Sequence, residues 1–302
     1  MAADSRHLIR PDRLVTLYLS RPLIGLSHTS RDPGVPILMY HSVSDATDTN
    51  LLPYYRTVTT PQTFHTHMTL LRDLGCEAVT LSNAIRLLQT SFGPAVRTPG
   101  PTSIPADRTV VITFDDGFRD FYTHAFPILD TFGFRATVFL ASGCVDKAFR
   151  NGRDCLRTAE IRELARSGVE FGSHTVSHPQ LRDLSWTAIV PELADSRRAL
   201  EDMIGSEVRL FSYPFRFPEE DTQFTDRFAS VLAEQGYTGG VTTVIGVSSR
   251  GDNPLFLRRL PVNELDDQRF FQAKLDGAYD WLHVCQLTYK RLRRAVTAVT
   301  PL

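Results

Sequence analysis

Cysteine is scarce in this chain: 302 residues hold four, Cys76, Cys144, Cys155 and Cys285, and none stands in a Cys-x-x-Cys pair or another zinc-binding spacing. A disulfide-stapled or cysteine-ligated scaffold is thereby excluded, and the thiols are read as reduced. Whether Cys144 and Cys155 pair across the polar stretch between them stays open. Long apolar runs are also missing. No stretch reaches the ~18 residues that a membrane-spanning helix needs. The short apolar run at 14–19 ends at Arg21 and Pro22, unlike a secretory signal, so the expected residence is the cytoplasm and the expected substrate is made inside the cell. A net charge of −1 lacks the basic field of a nucleic-acid binder. The one basic run, Lys290-Arg291-Leu292-Arg293-Arg294, reads as a solvated helix face, with a membrane-surface or partner role as the alternative. There is no internal repeat and no low-complexity segment. A hydrophobic content of 42% is enough to bury the core of one barrel-sized domain.

Against that background two stretches carry chemistry. In Val110-Val111-Ile112-Thr113-Phe114-Asp115-Asp116-Gly117 an apolar strand runs into adjacent carboxylates and a glycine. Charges at the end of a buried strand are costly unless a metal, a proton or a substrate compensates them, and such strand ends are where α/β folds build active sites. The alternative is a turn in which one Asp caps the next helix. In Val169-Glu170-Phe171-Gly172-Ser173-His174-Thr175-Val176-Ser177-His178-Pro179 the design returns with histidines. A helix-like turn between His174 and His178 would aim both imidazoles at one point, and two His with one carboxylate make an open divalent-metal site. Two unrelated surface histidines are the alternative.

These residues resemble the polysaccharide deacetylase family, carbohydrate esterase family 4, with its NodB-homology fold. Thr113-Phe114-Asp115-Asp116-Gly117 is similar to the family's first motif and His174-Thr175-Val176-Ser177-His178 to its second. The resemblance implies Asp115 as catalytic base and Asp116, His174 and His178 as ligands of a divalent metal, zinc first, with cobalt or nickel as alternatives. The third motif, Arg-x-Pro followed by Tyr or Phe, has its nearest match in Ser212-Tyr213-Pro214-Phe215, without the Arg. By resemblance the Phe215 backbone N–H stabilises the oxyanion, a task that does not depend on its side chain. Arg259, on a late candidate strand, is the expected substitute for the lost Arg, against the alternative of a surface ion pair. The family's C-terminal Leu-x-His has no counterpart: His283 directly follows Trp281-Leu282 in an expected terminal helix and reads as a surface residue. Instead Pro36-Ile37-Leu38-Met39-Tyr40-His41 is an apolar strand ending in a histidine, similar to the permuted family members that deacetylate exopolysaccharide. His41 is therefore assigned as the acid that protonates the leaving amine, with a backbone-bonded strand cap as its alternative.

Alternating patterns continue along the chain. A helix opens at Thr60-Pro61 and stops at Gly75, with His65 and His67 read as surface or packing residues. A strand covers 77–81, Ser82 caps a helix to about 92, and an exposed loop over 93–108 leads into the catalytic strand. Helices are expected at 121–132, 158–167, 186–204, 224–235, 267–275 and 279–299, and strands at 136–140, 208–213, 237–241 and 256–262. The pattern fits a distorted, incomplete (β/α) barrel of about seven parallel strands, because groups from His41, Asp115, His174 and Phe215 would arrive from four strand ends on one face. The division is an N-terminal extension (1–34), the barrel domain (35–278) and a C-terminal helix (279–302). Tyr40, Tyr54, Tyr55 and Phe118 are candidates for stacking on sugar rings, with ordinary packing as the alternative.

The expected function is metal-dependent removal of N-acetyl groups from a glycan carrying N-acetylhexosamine. A catalytically inactive glycan- or partner-binding member of the same fold is the second reading. A non-haem iron oxygenase is the third, although such sites usually place the carboxylate beside one of the histidines.

Overall fold

A computed structural model describes residues 10–26, 34–46, 51–90 and 108–299, so most of the expected loop over 93–108 lies outside the described residues. The chain opens with α1 (Pro11–Val15), a π-helical turn (Thr16–Ser20) and α2 (Arg21–Leu26). It continues as β1 (Ile37–Tyr40), β2 (Ser42–Val43), β3 (Val58–Thr59), α3 (Pro61–Asp73), β4 (Glu77–Val79), α4 (Leu81–Gln89) and β5 (Thr109–Phe114). A π-helical turn (Phe121–Ala125) runs into α5 (Phe126–Phe132), followed by β6 (Thr137–Leu140), α6 (Thr158–Arg166), β7 (Glu170–Ser173), α7 (Trp186–Ile204) and β8 (Leu210–Ser212). Then come α8 (Thr222–Glu234), β9 (Gly239–Ile245), β10 (Leu257–Pro261), α9 (Gln268–Leu275) and α10 (Trp281–Val299).

Seven parallel strands close into a barrel in the order β1, β10, β9, β8, β7, β6, β5. β1 completes the ring by pairing with β10 at Leu38 and Leu260 and with β5 from Ile37 opposite Val111 to Tyr40 opposite Phe114. The barrel is thus a closed ring of seven strands, and β4 pairs beside it with the first half of β5. Because every strand runs the same way, all the carboxyl ends open on one face.

The two-residue period of a strand decides what fills the ring. Ile37, Val111, Phe139, Leu210, Val241 and Leu257, from six strands, form one buried apolar cluster, which Leu81, Ala84 and Ile85 of α4 join. Each such side chain contributes roughly 1.5–3 kcal/mol by leaving water. Their neighbours Leu38, Val110, Ile112, Phe114, Val138 and Leu140 belong instead to a second cluster, shared with α3 and α9. Two residues on from Val111, Leu210 and Leu257 come Thr113, Ser212 and Arg259, all fully buried. An apolar layer therefore supports a polar one, and the next step along β5 is Asp115.

Several local expectations are corrected. The cap of α4 is Thr80, whose hydroxyl accepts from the Asn83 N–H, and not Ser82, which lies inside the first turn. The short strands β2 and β3 form a separate two-stranded sheet, too brief to show a period in sequence. The reading of His65 and His67 as surface or packing residues agrees with the structure: His67 is fully buried. Its Nε2 donates to the Asp266 carbonyl at 2.7 Å, which leaves Nδ1 to accept from the Tyr40 hydroxyl at 3.0 Å, while His65 is exposed. His283 is not a surface residue: it is half-buried and bonded to Glu219 at 2.6 Å. Lys290 meets the same carboxylate at 2.7 Å, so this end of the basic run is an anchor, while Arg291 beside it is exposed and the side chains of Arg293 and Arg294 lie outside the described residues. The N-terminal segment packs firmly, since Arg10 reaches the fully buried Asp266 at 3.0 Å and Asp266 also accepts from Lys274 at 2.7 Å. No helix among the described residues is long and apolar enough to cross a membrane.

Candidate active site

Asp115 sits at the carboxyl end of β5 with 2% of its surface exposed. Arg259 reaches it from mid-β10 with both arms, Nη1 to Oδ1 at 2.8 Å and Nη2 to Oδ2 at 2.7 Å, and Ser212 Oγ adds a bond to Oδ1 at 3.1 Å. The guanidinium is itself held in place, because Nε donates to the Thr242 carbonyl at 2.9 Å and Nη2 to Ser212 Oγ at 3.2 Å. Burial alone would push the Asp115 carboxyl up; the adjoining Arg259 and His174 outweigh it and hold the group well below the ordinary carboxylate range. Arg259 is thus no surface residue. It stands 144 positions from its partner in sequence, on the opposite neighbour of β1 in the ring.

Asp116, His174 and His178 converge beside this pair. The Asp116 Oδ1 lies 3.6 Å from His174 Nε2 and 3.4 Å from His178 Nε2. They are the one group of three ligand-type side chains found together among the described residues, with ligand atoms within 4.8 Å of one another. His174 Nδ1 donates to the Ser212 carbonyl at 2.7 Å, so the ring proton sits on that nitrogen and the Nε2 lone pair is left facing Asp116, the orientation a metal ligand needs. The expected helical turn between the histidines is not formed. His174 to His178 is an irregular bend with Thr175 at φ 69° and His178 at φ 52°. Thr175 Oγ1 accepts from the His178 N–H at 3.0 Å and fixes that bend.

Backbone strain gathers at the same place. Five non-glycine residues among those described have positive φ, and four of them are Asp116, Thr175, His178 and Phe215. Such conformations cost about 1–3 kcal/mol each and persist where the surroundings over-determine them. Gly117, at φ 70°, continues the turn, and a Cβ there would lie 2.5 Å from the Leu140 side chain.

The electrostatics fit a cation. Burial and the neighbouring Asp115 push Asp116 up to about 7. Burial also lowers His174, while burial and then His174 lower His178 to about 3. Two neutral imidazoles facing a carboxylate that resists standing alone are a donor set suited to a divalent metal. A His178→Ala variant is expected to lose most bound metal while keeping its fold, as read by metal analysis and thermal unfolding; full metal content would remove His178 from the ligand set.

His41 follows β1 directly, and with Asp115, Asp116, His174, His178, Tyr213 and Phe215 it lines a cavity of about 390 Å³ at the barrel mouth. Burial lowers its imidazole to about 4, with Asp115 pulling upward and Arg259 and His174 downward. Phe215, 45% exposed, packs its ring 4.4 Å from that of His178. The loop after β6 supplies Phe149, Arg150 and Asn151 to the same wall, with the Phe149 ring 5.4 Å from that of His178. Tyr40 and Phe118 are buried in packing and unavailable to a sugar, whereas Tyr55 is exposed. Ser212, which touches both Asp115 and Arg259, and the Phe149–Arg150 wall carry little sequence signal. For Ser212 the clue is a polar residue at an inward position of an otherwise apolar strand.

Residues 103–240 match the family model described as polysaccharide deacetylase. A Bacillus subtilis relative, YxkH, whose name places it among polysaccharide deacetylases, is 29% identical over 236 residues, covering 78% of this chain and 74% of that protein. The poly-beta-1,6-N-acetyl-D-glucosamine N-deacetylase of Staphylococcus aureus is 27% identical over 123 residues, 38% of this chain and 42% of that protein. Among solved structures, IcaB from Ammonifex degensii superposes with a TM-score of 0.65 at 25% identity, over 82% of this chain and 98% of that one. The Streptococcus pyogenes deacetylase PplD, in complex with acetate, gives a TM-score of 0.66 at 24% identity over 81% and 99% and shares the fold.

Proposed function

We propose that the chain, which matches the polysaccharide deacetylase family model over residues 103–240, is a member of that family that hydrolyses N-acetyl groups of a glycan containing N-acetylhexosamine, with a divalent metal held by Asp116, His174 and His178. The observation that carries this reading is the buried, doubly paired Asp115 standing beside that ligand set at the floor of one cavity. Zinc suits two imidazoles and one carboxylate best, with cobalt or nickel as substitutes. Bound there, the cation would supply Lewis acidity, polarising an amide carbonyl and lowering the pKa of water toward neutrality.

The side chains divide the remaining work. Arg259 keeps Asp115 ionised and fixed, and three donors occupy three of its roughly four acceptor positions, leaving one to take a proton from the attacking water. The Phe215 N–H, on a strained residue at the cavity wall, is assigned to the developing oxyanion. An amine leaves poorly as an anion, so His41 is assigned its protonation. An imidazole lowered to about 4 by burial gains a proton readily only when negative charge develops beside it, and the tetrahedral stage supplies such charge. The exposed Phe215 and Tyr55 rings are available to sugar faces. The missing Arg of the third motif favours an inactive binding protein, and its replacement in space by Arg259 removes that argument.

Acetate release from a panel of N-acetylated oligosaccharides tests the reading, using chelator-stripped protein reloaded with zinc, cobalt or nickel. Release that vanishes on stripping and returns with metal is expected; stoichiometric metal binding with no release from any glycan would favour the binding role. His41→Ala is expected to slow amide hydrolysis by roughly 10²-fold while sparing an activated aryl acetate, whose phenolate leaves unprotonated. A variant that matches the parent on both substrates would end the acid assignment.

A further inference from the structure

His41 is gripped from both sides by the segment that carries the metal-site carboxylates. Before it, the Asp115 N–H donates to the Tyr40 carbonyl at 3.0 Å. After it, Asp120 Oδ2 accepts from Ser42 Oγ at 2.5 Å and Asp120 Oδ1 from the Val43 N–H at 3.2 Å. Asp120 stands outside the metal-ligand group and does not line the cavity. Its carboxyl is largely shielded: burial raises its pKa, with the Ser42 and Val43 bonds pulling the other way. Other ties on this stretch go sideways to the short strand β3, Ser42 N to the Thr57 carbonyl at 3.3 Å and Ser44 N to the Thr59 carbonyl at 3.1 Å. Among the described residues, Asp120 is the side chain whose hydrogen bonds tie Ser42 and Val43 back to the segment that bears Asp115.

We propose that Asp120 is a positioning residue that fixes His41 relative to Asp115 and the metal ligands, an inference resting on the acid role assigned to His41. The physical argument is one of reach. Residue 41 lies past the last paired residue of β1, where the ladder with β5 no longer holds the chain. Charge-assisted bonds to the two residues that follow replace that ladder. A displacement of about 1 Å between reacting groups can cost roughly 10²-fold in rate, so this clamp acts on turnover without touching substrate. Asparagine at 120 keeps an acceptor for Val43 and offers a donor to the Ser42 hydroxyl, whereas alanine removes both bonds.

The test uses the full-length, metal-loaded protein with an N-acetylated oligosaccharide and an activated aryl acetate. Asp120→Ala is expected to lower kcat on the amide by about 10- to 100-fold, with KM, metal content and aryl-ester hydrolysis near the parent, and Asp120→Asn to recover most of the loss. Ser42→Ala, a milder change, should shift the amide-to-ester ratio in the same direction. In a His41→Ala background, Asp120→Ala should cost nothing further on the amide, because a residue that acts through His41 has nothing left to position. Equal losses on amide and ester, or losses that multiply with His41→Ala, would overturn the proposal and make Asp120 a general support of the fold. An unchanged amide-to-ester ratio in His41→Ala alone would instead overturn the acid role, and the cycle between positions 41 and 120 would still read their coupling.

Discussion

Asp115→Asn is expected to bind metal at the parent's stoichiometry and to lose about 10²- to 10⁴-fold in turnover. The substitution keeps shape but not charge or proton affinity. An amide oxygen can still accept from one arm of Arg259, while its NH2 must face the other, donor against donor. The base is thereby removed with little movement of the backbone, which the Tyr40 carbonyl continues to hold through the residue 115 N–H. Metal should be retained for an electrostatic reason. Asp115 is one of the two causes that push Asp116 up to about 7, and removing its charge makes Asp116 easier to ionise. Metal analysis and single-turnover acetate release on the same preparation decide the point. Parallel loss of metal and rate would move Asp115 into the ligand shell, and undiminished turnover would leave the water without its assigned base.

How much of this was legible beforehand follows from the range over which each feature acts. The carboxylate pair at the end of β5 and the histidines after β7 are local patterns, an apolar run meeting polar residues, and both stand where the pattern puts them. The parallel barrel was legible for the same reason, since its strands and helices alternate along the chain. The bend from His174 to His178 was not, because it turns on Thr175, a β-branched residue that rarely takes positive φ, and histidine's own mild tolerance of that region marks no particular position. The cap at Thr80 competed with Ser82 two residues on, and only the hydrogen bond to Asn83 separates them. The buried ion cluster of Arg10, Asp266 and Lys274 joins segments 256 residues apart, beyond the reach of any local pattern. His283 looked solvated for lack of a visible partner, and its partner, Glu219, lies in the loop after β8. Arg259 could be named in sequence as a stand-in for the motif-three Arg, but its geometry rests on the inward period of β10 and on ring closure through β1.

That geometry sets the other large expectation. Arg259→Ala leaves a buried carboxylate without its counter-charge, and breaking such a pair from one side typically costs about 3–5 kcal/mol of stability. The sign with pH follows from the direction of the shift. In the parent, Arg259 holds the folded-state pKa of Asp115 below the unfolded value of about 3.9. Its contribution to stability is therefore fully present above that value and is lost as pH falls through the lower, folded one. In the variant, burial acts unopposed by the guanidinium and raises the same carboxyl. Protonation then relieves the unpaired charge, and the variant gains stability as pH falls through the raised pKa. The gap between parent and variant should be widest near neutrality and should narrow on acidification, as read by denaturant unfolding at a series of pH values. The acid limb of kcat/KM should move upward in step, because a carboxyl that is easier to protonate stops serving as a base at higher pH. Arg259→Lys, which restores charge but not the two-armed bond, should fall between the two. If parent and Arg259→Ala keep the same acid limb, Arg259 does not tune the base, and its pairing with Asp115 is a structural strut alone.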